Sequence, residues 1–136
     1  MNQTAPEAIN AEILKVSIEH YRKDEDVDLD VVIDTFDDFF ELCPHAEDYI
    51  QEEEYEFRGS YDRETDIEAE WSRHYESKSV AKKLSDGRWV GWTYWYGGGK
   101  HANPEEIDWI TTAYFLDVTE KEKVMTVYTF KKKDAE

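Results

Sequence analysis

The chain has 136 residues, 33 of them acidic and 16 basic, for a net charge of −17 at neutral pH. That sign excludes the basic footprint needed to hold a polyphosphate, and it disfavours anionic membrane surfaces for the same reason. Apolar residues make up 40% of the chain and aromatics 15%, including five Trp and nine Tyr, which is enough to bury a core and argues against disorder beyond residue 29.

The acidity is not spread evenly. Residues 1–76 contain 24 acidic and six basic side chains, whereas residues 77–136 contain nine and ten. Concentrated like charge repels itself and destabilises a compact state. Adaptation to salt would acidify the whole surface, but the last 60 residues keep their basic side chains. A single cysteine, Cys43, leaves no intramolecular disulfide and fits a reducing compartment. The first residues lack a basic stretch followed by an apolar run, and no apolar stretch approaches the roughly 18 residues of a membrane helix. These features lead us to expect one soluble, cytoplasmic domain without a cofactor.

In chain order, Thr4-Ala5-Pro6-Glu7 has the form of a capping box, and Ile9, Ile13 and Val16 follow at helical spacing, predicting a helix over residues 5–22. Leu14, Val16 and Ile18 alternate with polar residues, which fits a half-buried strand as well. Asp24, Asp26 and Asp28 mark an exposed connection. Residues 29–43 predict a second helix, with Leu29, Val32, Ile33, Phe36, Phe39, Phe40 and Cys43 within an arc of about 120°. Asp30, Asp34, Asp37, Asp38 and Glu41 flank that arc, and Pro44 ends the element.

From Glu52 the period shifts toward two: Tyr55 and Phe57 alternate with charge, as do Ile67, Ala69 and Trp71. Val80-Ala81-Lys82-Lys83-Leu84 and residues 88–96 flank Ser85-Asp86-Gly87, which predicts a hairpin. Gly97-Gly98-Gly99 breaks the sheet, and Asn103-Pro104-Glu105-Glu106 resembles a helix start. A second hairpin is expected from residues 111–118 and 123–130. The predicted class is α+β, with acidic helices first and then a mostly antiparallel sheet of about five or six strands.

The acidic flank of residues 30–41 is the leading candidate for function. Five carboxylates on a helix of that length would space their charges about 4 Å apart, close to the roughly 3.4 Å of one DNA strand. No Lys or Arg lies between residues 24 and 57 to relieve the repulsion. Glu52, Glu53 and Glu54 extend the field, as do Asp62, Glu64, Asp66, Glu68 and Glu70, which would share one face of a strand. One acidic run alone would read as a solvated surface. Density, missing counter-charge and confinement to one half together point to a partner-binding surface for a cationic, nucleic-acid-binding protein.

The remaining motifs are weaker. Asp24, Asp26, Asp28 and Asp30 suggest a calcium loop, but Leu29 and Thr35 stand where Gly and Glu are required. Trp92, Tyr94 and Tyr96 lie on one face of the aromatic segment, with Trp89 and Trp95 on the other; core packing is the simpler reading and a stacking patch the second. Gly97-Gly98-Gly99-Lys100-His101 lacks the spacing of a phosphate loop, and the four His form no metal-binding pattern. Cys43 lies on an apolar face and reads as an inert thiol. The expectation is a non-enzymatic inhibitor that mimics nucleic acid and occupies the groove of a nuclease, restriction or CRISPR-type complex, or regulator. An immunity protein against a basic toxin is the alternative, and a small enzyme using residues 97–101 the third.

Overall fold

The computed structural model describes residues 3–26 and 32–134. It is an α+β fold of three helices followed by a four-stranded antiparallel sheet, so the sheet is smaller than the sequence predicts. Helix α1 covers Ala5–Asp24. Its capping box forms as expected: the Thr4 hydroxyl accepts from the Glu7 amide, and the Glu7 carboxylate accepts from the Thr4 amide. The helical alternative prevails over the strand because Ala5, Ala8, Ile9, Ile13, Leu14, Ser17, Ile18 and Tyr21 form one continuous buried stripe. Ser17 lies in that stripe, donating to the Ile13 carbonyl at 2.7 Å and to the Tyr49 carbonyl at 3.4 Å, which ties α1 to α3.

The second helix is much shorter than predicted. Helix α2 is Phe36–Leu42, and its N-cap Thr35 is extended, with its hydroxyl accepting from the Asp38 amide at 3.1 Å. A capping threonine needs non-helical backbone, so residues 32–34 cannot continue the helix upstream. Val32 is 78% exposed instead of lying on an apolar face. Leu29 and Asp30 lie outside the described residues, as does Asp28.

Helix α3 spans Ala46–Gly59, where the sequence suggested a turn toward strand periodicity. The alternation at Tyr55 and Phe57 is only local. Ala46, Ile50 and Phe57 recur at helical spacing and are the buried apolar positions, so the longer pattern decides. Strand β1 is reduced to Arg63–Glu64. The Thr65 amide donates to Ser79, but the Thr65 hydroxyl then accepts from the Ile67 amide, and this local turn takes the chain off the ladder. Ile67 and Trp71 are consequently exposed, Trp71 at 84%.

Strands β2 (Glu76–Lys83) and β3 (Trp89–Tyr96) form the expected hairpin, paired over their whole length from Glu76↔Tyr96 to Lys83↔Trp89. Strand β4 is Tyr114–Leu116 and pairs with Trp89, Val90 and Gly91. The predicted second hairpin does not form, since residues 117–134 belong to no strand. The predicted helix after Asn103 is a single 3-10 turn, Pro104–Glu106, with no side-chain cap from Asn103.

The core lies between α1, α3 and one face of the sheet. Val80, Val90 and Trp92 meet the helices, and Trp92 packs against Phe57 and Trp109 with ring centroids 5.3 and 5.2 Å apart. The opposite face of β2–β3 is also covered: Ser79, Ala81, Thr93 and Trp95 are buried. Gly91 admits the Tyr114 ring there, because a Cβ would lie 2.6 Å from it. Large aromatics on both faces of β3 follow from its interior place in the order β1-β2-β3-β4.

Candidate partner-binding surface

Helix α2 docks on α1 and α3 through Phe39, which is fully buried and meets the Tyr21 ring edge-on at 5.6 Å; Tyr21 in turn meets Tyr49 at 5.3 Å. Cys43 joins this cluster, and burial pushes its thiol pKa up, as expected of an inert cysteine. Once Phe39 is fixed inward, Asp37 and Glu41 point to solvent and Asp38 is half-buried beside its cap. Asp34 is exposed just ahead of the helix rather than on it.

Helix α3 turns Ala46, Ile50 and Phe57 inward and therefore presents Asp48, Glu52 and Glu56, at i, i+4 and i+8, as one solvent-facing row. Glu53 and Glu54 flank the buried stripe. Glu53 faces His20 at 3.7 Å, and burial raises its pKa. Glu54 is also raised, first by burial and then by Asp108. The only basic side chain on α3, Arg58, is 7% exposed and turned inward, donating to the Trp95 carbonyl and lying 4.2 Å over the Tyr94 ring. It offers the row no counter-charge.

Exposed acids of α2 and α3 thus lie on two helices that pack against each other. Two features have a structural account. Asp37 and Asp38 lie in the first turn of α2, and Glu47 and Asp48 in the first turn of α3, where carboxylates complement the helix dipole. Glu41, Glu52 and Glu56 have no such role. Sequence reasoning missed Glu47, Asp48 and Glu56 because it did not place a helix there; the Ala46, Ile50, Phe57 spacing was the available signal.

The other acidic candidates are dispersed. Asp24 lies beside Tyr49, whose hydroxyl donates to Glu25 at 3.3 Å and whose pKa is pushed up to about 12 by burial and these two carboxylates. Asp26 is exposed in a left-handed backbone conformation, with φ of 50°. Asp62 accepts from the Lys83 amide at 2.8 Å, and Glu64 pairs with Lys78 at 2.7 Å, so both hold the β1–β2 edge. Asp66, Glu68 and Glu70 are exposed but sit on irregular chain, not on the single strand face expected of them.

The aromatic candidates separate as well. Trp92 is fully buried and belongs to the core. Tyr94 is half-buried, Tyr96 is 37% exposed, and Lys78 lies over both rings at 5.4 and 5.6 Å. In the 97–101 loop, all three glycines have positive φ, and a Cβ on Gly98 would lie 2.7 Å from Tyr75 and from Ala102. Gly98 therefore has a packing explanation, and Gly97 and Gly99 a backbone one in their positive φ. Among the described residues no group of three or more His, Cys, Asp or Glu converges to hold a metal, and no helix is long and apolar enough to cross a membrane. Comparison with known proteins finds no matching family model, no matching curated protein and no matching solved structure.

Proposed function

We propose that the α2–α3 layer binds a cationic, nucleic-acid-binding protein by presenting carboxylates where that protein expects phosphates. The observation that carries this reading is the exposed set Asp37, Glu41, Asp48, Glu52 and Glu56, none of them in an ion pair among the described residues. The inward turn of Arg58 supports it further. Asp48/Glu52 and Glu52/Glu56 are like-charge neighbours that cost a few tenths of a kcal/mol each in an isolated helix. A cationic groove would convert that repulsion into attraction, steer association and make it salt-sensitive. The mechanism is competition for a groove, with no chemical step.

A second reading rests on a separate observation. Phe40, Leu42 and Tyr55 are 39%, 50% and 63% exposed on the same two helices. Apolar anchors among acids suit a shape-specific interface, as in an immunity protein bound to a basic toxin.

The test is capture of partners on immobilised protein at low salt, followed by elution with duplex DNA. Mimicry predicts a nucleic-acid-binding protein that DNA displaces, with affinity falling stepwise as Asp37, Glu41, Asp48, Glu52 and Glu56 are neutralised. An interface that resists DNA and collapses on Tyr55→Ala alone would instead establish the anchored reading.

A further inference from the structure

The described part of the chain beyond β4 is built like a strand but has no partner. Residues 124–130 read Val-Met-Thr-Val-Tyr-Thr-Phe, dominated by β-branched and aromatic residues and free of Gly and Pro. Val124, Met125, Val127, Tyr128 and Phe130 are between 75% and 100% exposed. The Tyr128 and Phe130 rings stack at 6.2 Å, as i, i+2 neighbours do on extended chain. Among the described residues, 119–134 make no hydrogen bond or ion pair with the rest of the molecule. The sheet in turn ends in an edge strand: β4 is outermost, pairs only with β3, and carries Tyr114, Phe115 and Leu116 without the Lys or Pro that usually guards an edge.

We propose that residues 124–130 of one chain add as a strand to the β4 edge of a second copy, and that two chains exchange these segments reciprocally. Each copy then supplies one donor strand and one acceptor edge, which closes a two-fold dimer. The charges favour this arrangement over pairing of two such segments with each other. Residues 123–133 carry four Lys and no acid, whereas residues 1–118 carry 29 acids and 11 basic side chains, so the segment is attracted to the body of a neighbour. Antiparallel pairing of two such segments with each other would instead set Lys131 against Lys123 and Lys133 against Lys121, with Lys132 facing Glu122, so two of these three flanking pairs are like-charged. The seven residues between Leu116 and Val124 can reach about 25 Å, enough to cross to a neighbouring sheet edge. Exchange would also set two acidic helical layers in one particle.

The test is the mass of the full chain by light scattering and sedimentation over a concentration series, with hydrogen exchange on the same samples. Exchange predicts a particle of two 16.1 kDa chains whose amides at residues 114–116 and 124–130 become protected as the dimer forms. Val127→Pro removes a ladder donor and should weaken association at least about tenfold while leaving the monomer folded. Tyr128→Asp should act in the same direction. A monomer at every concentration would overturn the proposal, as would a dimer that both variants leave intact. Protected 124–130 amides in a monomer would overturn it too, by placing the segment on its own β4.

Discussion

The β2–β3 hairpin and the α2–α3 helix pair hold the two densest features of the chain, aromatics in one and carboxylates in the other. The fold treats them oppositely. Trp92 and Trp95 are 0% and 6% exposed, Trp92 in the core and Trp95 on the opposite face of the sheet. Six acids of α2 and α3, Asp37, Glu41, Glu47, Asp48, Glu52 and Glu56, stay fully at the surface, while the one base of α3 is drawn under it. Unusual density in a sequence therefore carries different weight by residue type: aromatic density can be absorbed by packing, whereas carboxylate density without counter-charge cannot.

The sharpest way to break this comparison is through the core. Trp92→Ala should destabilise the fold by about 3–5 kcal/mol, measured by urea unfolding, because it empties the stack with Phe57 and Trp109. A loss below about 1 kcal/mol would mean that the hairpin is not the structural half. Arg58→Ala should cost about 2–3 kcal/mol, since the Trp95 carbonyl loses a charged donor. Retention of full stability would show that Arg58 is free to serve the acidic surface as a counter-charge.

A pH series sharpens the comparison. The Glu53 and Glu54 carboxyls are raised above the ordinary 4.5 mainly by burial, so the folded state binds their protons more tightly than the unfolded state does. Their effect is most favourable below about 4.5 and is lost as pH rises through the higher folded values. Asp86 and Asp108 are lowered, chiefly by hydrogen bonds from Arg88 and Thr111, and their contribution disappears as pH falls below 3.8 through their folded values. Thermal unfolding of dilute protein should therefore show greater stability in mildly acidic buffer than at neutral pH, with loss at stronger acid. A maximum at neutral pH would contradict this placement of Glu53 and Glu54.

The smallest effect is the most diagnostic for the surface. Glu52→Gln removes two like-charge neighbours, Asp48 and Glu56, and should stabilise α3 by a few tenths of a kcal/mol while weakening partner binding. Destabilisation of 1 kcal/mol or more would show that Glu52 has a structural role.

Much of this was legible without coordinates where short-range chemistry decides. The Thr4 capping box, the turn at Ser85-Asp86-Gly87 and the break at Gly97 depend on a few adjacent residues, and each appears where the sequence places it. The errors fall where local and longer patterns compete. Tyr55 and Phe57 alternate over a few residues, but the helical repeat of Ala46, Ile50 and Phe57 buries more and prevails. Thr35 was available as a cap within residues 29–43, yet the apolar periodicity around it hid the boundary.

The sequence by itself determined the charge asymmetry, the α+β order and the central hairpin, because composition and near-neighbour patterns are properties of the chain alone. Only the tertiary structure decided which acids stay exposed and which are held by partners. That depends on Phe39 locking α2 against α1, on Arg58 turning toward Trp95, and on Asp62 and Glu64 being held by Lys83 and Lys78. These are contacts between residues distant in sequence, and no local pattern encodes them.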